Sequence, residues 1–236
     1  MIRNLFFDWD NTIWDFSANS KLSLIECYEK FNLNQYFGAI ENFLPIYYEV
    51  NDGLWAQYRQ NIITKDYLIK TRFNETFKRF GLDNYELSMQ VNDAYLDFTT
   101  YKKELVEGAE QTLKTLKDLG YKLYVITNGF LEVQKRKMRN SGIEHLFEAS
   151  IISDEAGALK PSKQFFDYAF KTTGVSPNET LVIGDDIEAD IAGAIEYGLK
   201  CVFFNRKGVD CKYKVDAEIK RLEELINIIK SLNKTI

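Results

Sequence analysis

The chain has 236 residues, 45% of them hydrophobic, with 35 acidic against 30 basic side chains, a formal net charge of −5, one histidine and three cysteines. That length suits one or two domains with a substantial core, whereas a Cys/His zinc site would need His145, Cys27, Cys201 and Cys211, which stand apart rather than in short pairs. A serine triad would have only His145, in the apolar-patterned stretch 143–147, so any hydrolytic chemistry falls to carboxylates, and the acidic balance without a basic run disfavours a nucleic-acid polymer as partner.

The first apolar run, Leu5–Phe7, lacks alternation and predicts a strand buried on both faces. Asp8 and Asp10 interrupt it at once, so it is no signal peptide, and no stretch reaches the roughly 18 apolar residues of a membrane span. Widely spaced cysteines, odd in number, fit a reducing compartment, and the expected localisation is cytoplasmic. From about Ser17 to Thr100 apolar residues recur at helical spacing, as in Leu24, Cys27, Tyr28 and Phe31. Thr64 can cap one helix start and Gly81 can end that helix, and four or so helices are predicted. The first 105 residues hold 22 of the 34 aromatic side chains but only Gly38, Gly53 and Gly81 of the 13 glycines, which sets this segment apart from the rest.

Beyond it, Leu123–Ile126, Ile151–Ile152, Leu181–Ile183 and Cys201–Phe204 predict further buried strands. Helices predicted at Ala109–Leu119, Leu131–Ser141, Ser162–Thr173 and Asp190–Tyr197 each run into a glycine, Gly120, Gly142, Gly174 and Gly198, that suits the left-handed position past a helix end. Arg221–Leu232 has the amphipathic pattern of a closing helix. Strand alternating with helix implies an α/β fold with a doubly wound parallel sheet. Residues 1–13 and 105–236 form the expected core, and 14–104 an all-helical domain inserted after strand one.

In such a sheet, ligands bind outside the carboxyl ends of the strands. Asp8, Asp10, Asn11 and Thr12 follow the first run; Thr127, Asn128 and Gly129 the second; Ser153 the third, with Lys160 and Pro161 seven residues on; Gly184, Asp185, Asp186 and Asp190 the fourth. The predicted edge gathers carboxylates, one lysine and one hydroxyl, a set suited to magnesium and a phosphoryl group. Each piece also has a structural reading: an acidic pair can cap a turn, Asn-Gly can make a hairpin, Lys160 can be a loop lysine, and Asp186 and Asp190 can serve a helix start. Their order, each after its own buried strand, is what weighs against coincidence.

Asp8-Trp9-Asp10-Asn11-Thr12, Thr127-Asn128-Gly129, Lys160-Pro161 and Gly184-Asp185-Asp186-x-x-x-Asp190 resemble, in order, the four motifs of the haloacid dehalogenase superfamily, and the insertion resembles its first class of helical cap. The resemblance implies that Asp8 is a nucleophile forming an aspartyl-phosphate and that Asp10 is the acid–base, its backbone carbonyl also a metal ligand. It implies that Asp185 ligates Mg2+ directly, with Asp186 and Asp190 as a further ligand or as groups orienting metal-bound water. Thr127 and the amides around Asn128 and Gly129 would bind phosphoryl oxygens, and Lys160 would balance the acids. Dehalogenases lack a carboxylate at the position of Asp10, so the resemblance favours a phosphatase. A phosphonate-cleaving enzyme would need a Schiff-base lysine, for which Lys21, Lys65 and Lys70 have no suggestive context.

Val50-Asn51-x-x-Leu54-Trp55-x-x-Tyr58, Arg72-Phe73 and Thr127-Asn128-Gly129-Phe130 look like the pyrimidine 5′-nucleotidase branch acting on nucleoside monophosphates. Trp14, Trp55 or Tyr58 could stack on a base, although aromatics at this spacing also build a helical domain's own core, and Arg59 and Arg72 have a reading as surface charges. The expected partner is a small phosphorylated metabolite, with a monomer or weak homodimer. A sugar-phosphate phosphatase, a phosphomutase, or a catalytically inactive binding module are the alternatives.

Overall fold

A computed structural model describes residues 1–234. Strand β1 (Asn4–Phe7) is followed by helices α1 (Phe16–Lys30), α2 (Asn34–Phe37), α3 (Ile40–Arg59), α4 (Lys65–Arg79) and α5 (Tyr85–Thr99). Then come α6 (Ala109–Asp118), β2 (Lys122–Thr127), α7 (Leu131–Ser141), β3 (Ala149–Ile152), α8 (Ser153–Ala156), α9 (Lys163–Thr173) and β4 (Thr180–Gly184). A wide π-type turn, Ile187–Ala192, leads into α10 (Gly193–Tyr197), β5 (Lys200–Phe204), β6 (Ala217–Ile219) and α11 (Leu225–Lys234). None of these helices is long and apolar enough to cross a membrane.

Contacts divide the chain into two compact units: Met1–Phe16 with the residues from Lys103 on, and Ser17–Lys102. In the first, six parallel strands lie in the order β3-β2-β1-β4-β5-β6. Their residues alternate between two cores. Leu5, Phe7, Leu123, Val125, Leu181 and Ile183 meet Leu113, Leu116, Met138, Leu225 and Ile229 on one face. Phe6, Ile126, Ile151, Val182 and Phe203 meet Phe165, Phe166, Ala169 and Ala194 on the other. Both faces are covered, which is why the strands are apolar runs rather than alternating ones. Each of the larger side chains, Leu, Ile, Val, Phe and Met, contributes about 1.5–3 kcal/mol when removed from water, before entropy is set against it. The chain winds one way from β1 to β2 and β3 and the other way from β4 to β5 and β6, so the crevice between β1 and β4 is the switch point where ligands gather.

The short edge strand β6 was not among the predicted ones. It has three residues, with Glu218 exposed between Ala217 and Ile219, too short and too polar to give an apolar run. The unit boundary also differs from the expected one by two or three residues. Val106 N donates to Ile13 O at 2.9 Å and Asp15 N to Glu104 O at 3.0 Å, tying the two connecting segments into a short ribbon of the sheet unit. Trp14 is fully buried in that unit's core, so it is a packing residue and not a platform for a base.

In the second unit, α3 packs on α4 and α4 on α5. Its core is aromatic: Phe37 lies 4.7 Å from Phe77 and 5.2 Å from Phe43, and Tyr47 lies 4.9 Å from Phe73, measured between ring centroids. Thr64 caps α4 by accepting from Tyr67 N at 3.1 Å, and Gly81 takes φ +80° just past that helix. Arg72 is no surface charge. It is 3% exposed, donates from Nε and Nη2 to Asn92 Oδ1 at 3.0 and 2.8 Å, and lies over the Tyr95 ring.

Candidate active site

The strand register decides what meets at the switch point. Phe7 is level with Val125 and Ile183, so Asp8 leaves β1 beside the carboxyl ends of β2 and β4, its N–H still donating to Ile183 O at 2.9 Å. The turn that follows places Asn11 at φ +64°, a left-handed conformation that asparagine tolerates better than most residues. From this turn Thr12 Oγ1 donates to Asp185 Oδ1 at 3.4 Å.

Lys160 is the centre of the site. Only 1% exposed, its Nζ donates to Asp8 Oδ1 at 2.8 Å, Asp190 Oδ1 at 2.7 Å and Ile126 O at 2.9 Å, using all three ammonium hydrogens. Asn128 holds the lysine's own backbone from both sides: Nδ2 donates to Lys160 O at 2.9 Å, and Oδ1 accepts from Lys160 N at 2.8 Å. Asn128 therefore joins the loop after β2 to the loop carrying Lys160. Its side chain is committed to that junction, which leaves only its backbone amide for the phosphoryl binding expected around Asn128 and Gly129.

Asp190 comes from the wide turn, within the helix predicted from Asp190 to Tyr197, which begins three residues earlier than expected. It is fully buried, and its second oxygen accepts from Asp186 N at 3.1 Å. A Cβ on Gly184 would collide with that carboxylate, so only glycine fits between β4 and Asp190. The Asp186 carboxylate accepts from Glu188 N and Ala189 N, each at 2.9 Å, and so caps the turn.

Asp8, Asp185 and Asp190 each offer one carboxylate oxygen within 4.8 Å of the others. Burial, then the neighbouring Asp190 and Asp185 charges, raises the Asp8 carboxyl well above its usual range in spite of Lys160. Burial, then Asp190 and Asp186, pushes Asp185 up to about 7. Burial raises Asp190 too, against the pull of Lys160. Burial alone would lower the Lys160 ammonium, but Asp190 and Asp8 outweigh it and hold the group above its ordinary value. Three acids facing one cation leave an excess of negative charge among hard oxygen donors, which fits a small divalent cation. Asp190 has both oxygens engaged, so Asp8 and Asp185 are the better-placed ligands. Of the five predicted metal residues, Asp10 and Asp186 direct their carboxylates elsewhere.

The Asp10 carboxylate is gripped at both oxygens by two residues of α7 that sequence reasoning passed over. Lys137 Nζ donates to Oδ1 at 2.9 Å, and Gln134 Nε2 donates to Oδ2 at 2.8 Å. Gln134 Nε2 also reaches Thr127 Oγ1 at 2.7 Å, while Thr127 Oγ1 accepts from Gly129 N at 3.1 Å. A Cβ on Gly129 would strike the Gln134 side chain. Gln134 Oε1 has no partner among the described residues, and a buried polar atom left so costs about 1–3 kcal/mol. Lys137 lies over the Trp14 ring at 4.2 Å and is 4% exposed. Their i, i+3 spacing puts both on one helix face, but nothing in the sequence says that this face turns inward.

Asp8, Asp10, Thr127, Asn128, Gly129, Lys160, Asp185, Asp186 and Asp190 thus come together at one end of the sheet. Trp55 and Tyr58 lie in the helical unit, one turn apart on α3 and half-buried, with ring centroids 5.6 Å apart and planes at 73°.

A family model described as haloacid dehalogenase-like hydrolase matches residues 2–198. The HAD-hydrolase YfnB of Bacillus subtilis is 32% identical over 235 residues, covering 96% of this chain and 95% of its own. The solved structure of YfnB, bound to magnesium, has a TM-score of 0.87 at 30% identity and covers 97% of this chain and 98% of that one. The pyrimidine 5′-nucleotidase PynA of Streptococcus pneumoniae is 28% identical over 202 residues, 85% of this chain and 83% of its own. A glyceraldehyde 3-phosphate phosphatase of Methanopyrus kandleri is 35% identical over 243 residues, 99% of this chain and all of its own.

Proposed function

The chain belongs to the haloacid dehalogenase-like hydrolases, and from that premise we propose that it is a magnesium-dependent phosphomonoesterase working through an aspartyl-phosphate on Asp8, with nucleoside 5′-monophosphates as its substrates. The observation that carries this reading is the division of labour between two carboxylates two residues apart. Asp8 is bound to Lys160 beside Asp185 and Asp190, while Asp10 is turned away onto Lys137 and Gln134.

Asp8 attacks phosphorus through the oxygen not held by Lys160. The P–O ester bond breaks, and its electron pair goes to the leaving oxygen, which takes the proton of the Asp10 carboxyl. Asp10, now ionised, removes a proton from the water that attacks the aspartyl-phosphate, freeing inorganic phosphate and Asp8. Thr127 Oγ1, which accepts from the Gly129 amide, can donate its own hydrogen to a phosphoryl oxygen, and the positive charge of Lys160, held against Asp8, favours the charge that gathers there. Asp8, Asp185 and the Asp10 backbone carbonyl would hold Mg2+, with Asp190 and Asp186 bracing them. Magnesium when bound neutralises phosphoryl charge and aligns the phosphorus with the nucleophile. The carboxylate at position 10 argues for ester hydrolysis over dehalogenation, because an alkoxide needs a proton to leave and a halide does not.

The nucleotide reading rests on the pyrimidine nucleotidase relative and on Trp55 and Tyr58 as aromatic surfaces that could stack on a base. A triose or other sugar phosphate is the second reading, favoured by the glyceraldehyde 3-phosphate phosphatase relative, which spans more of the chain at higher identity. Phosphate release from a panel of nucleoside monophosphates and sugar phosphates, with magnesium or with chelator, tests both. The expected result is magnesium-dependent turnover of pyrimidine nucleotides, abolished in Asp8→Asn. Turnover of sugar phosphates alone would end the nucleotide reading, and equal activity in Asp8→Asn would end the mechanism.

A further inference from the structure

The structure assigns Lys137 and Gln134 as the positioning residues that make Asp10 an effective general acid, an inference that rests on the acid–base role proposed above. Neither belongs to the four motifs, and both are buried on one face of α7. Their geometry is specific. Lys137 takes one Asp10 oxygen and Gln134 the other, so the carboxylate plane can neither rotate nor retreat. Lys137 is itself immobilised between Asp10 and the faces of Trp14, at 4.2 Å, and Phe16, at 5.4 Å. Gln134 joins Asp10 to Thr127 through one amide nitrogen, so the acid and the hydroxyl offered to the phosphoryl group are set by a single side chain.

The arrangement acts on a defined step. As the P–O bond breaks, the electron pair goes to the ester oxygen and the proton passes from Asp10 to that oxygen, leaving a negative carboxylate. The Lys137 ammonium and Gln134 amide donate to the oxygens on which that charge appears, so they are preorganised for the product of the proton transfer. A leaving group that needs no proton gains little from them. The benefit should therefore scale with the basicity of the leaving oxygen, which a purely structural role for two buried side chains would not produce.

The test compares kcat/KM for an alkyl ester, a nucleoside 5′-monophosphate or whichever sugar phosphate the panel shows to be turned over, with that for p-nitrophenyl phosphate, whose phenolate leaves unprotonated. For Lys137→Met and Gln134→Met the expected loss is about 10²-fold on the alkyl ester, the lower end of what general acid catalysis contributes, and less than about 10-fold on the aryl ester. Lys137→Arg should recover most of the alkyl-ester loss. Equal losses on the two esters, or no loss on the alkyl ester, would overturn the assignment. Should Lys137→Met not fold, the same comparison in Gln134→Met and Lys137→Arg decides. Asp8→Asn separates the two levels of argument: it should abolish turnover of both esters, and if it does not, the mechanism fails rather than the positioning role.

Discussion

Asp185→Asn should make the metal-free protein more stable while removing its response to magnesium. Asp185 is held at about 7 in the folded chain, against 3.8 for an unperturbed aspartate, by burial first and by the Asp190 and Asp186 charges second. A folded-state value above the unfolded one means that between about pH 4 and pH 7 the folded protein keeps a proton that the unfolded chain has released. The contribution of this group to stability is thus fully present below the unfolded value, declines as pH rises, and is lost once pH passes the folded value. Roughly three pH units at about 1.4 kcal/mol each give about 4 kcal/mol for an isolated group. Asp8 and Asp190 share the same charge and relax as Asp185 ionises, so about half of that, ~2 kcal/mol, is the expected effect. Asparagine keeps the shape and an acceptor for Thr12 but never ionises. In urea unfolding with chelator at about pH 8, Asp185→Asn should exceed the native chain by ~2 kcal/mol, and the two should converge near pH 4. Saturating magnesium should reverse the order at pH 8, since a ligand at about 100 times its Kd adds ~2.7 kcal/mol to the native chain alone. A variant no more stable than the native protein at pH 8 without metal, or one whose advantage does not change with pH, would refute the charge argument.

Lys160→Met removes the shared counter-charge of Asp8 and Asp190; it should abolish phosphatase activity and cost about 3–5 kcal/mol at high pH in urea titrations. That loss should shrink as pH falls and the two carboxyls take up protons. Gly184→Ala drives a methyl group into the Asp190 carboxylate; an overpacking cost of about 1–3 kcal/mol and a fall in kcat of about 10²-fold are expected from unfolding and steady-state assays. Phe77→Ala should destabilise the helical unit by about 3–5 kcal/mol, seen as faster amide exchange in α3 and α4. Thr64→Ala, with the α4 cap lost, should cost about 1 kcal/mol by the same measurement.

Most of the sheet could be foreseen because burial on both faces writes a strand as an unbroken apolar run, and because Gly120, Gly142, Gly174 and Gly198 all take positive φ past their helices. Strand β6 escaped for the opposite reason, since an edge strand of three residues needs no apolar run. The backbone positions of the site were equally open to inference, since Asp8, Thr127 and Asp185 lie at or just past the ends of buried strands and Lys160 and Asp190 in the segments that follow them. What could not be foreseen depends on which side chain of one loop faces another. Asn128 sits where a phosphoryl ligand is expected, yet its side chain clamps the Lys160 backbone, a pairing invisible without knowing that the two loops are neighbours. Gln134 and Lys137 lie in the run Gln134-Lys135-Arg136-Lys137, which has the character of a solvated helix face; only packing shows that two of the four point inward.

The overall charge was the weakest guide to chemistry, because its distribution and not its sum determines what the site can bind. Asp10 is matched one to one by Lys137, and that pair is locally neutral. Among the described residues Lys160 is the cation in contact with Asp8 and Asp190, and the Lys207 charge also acts on Asp185, so if all three acids ionise the cluster holds more negative charge than its paired cation offsets. Burial makes that excess unfavourable, which is why the three carboxyls are raised, and a divalent cation cancels it in a way that one further lysine would not. The same separation gives two aspartates two residues apart different electrostatic surroundings, as the proposed nucleophile and acid–base roles would need. One sits among acids whose excess of negative charge a divalent cation would offset before an anionic phosphoryl group could enter, and the other is already paired with a cation of its own.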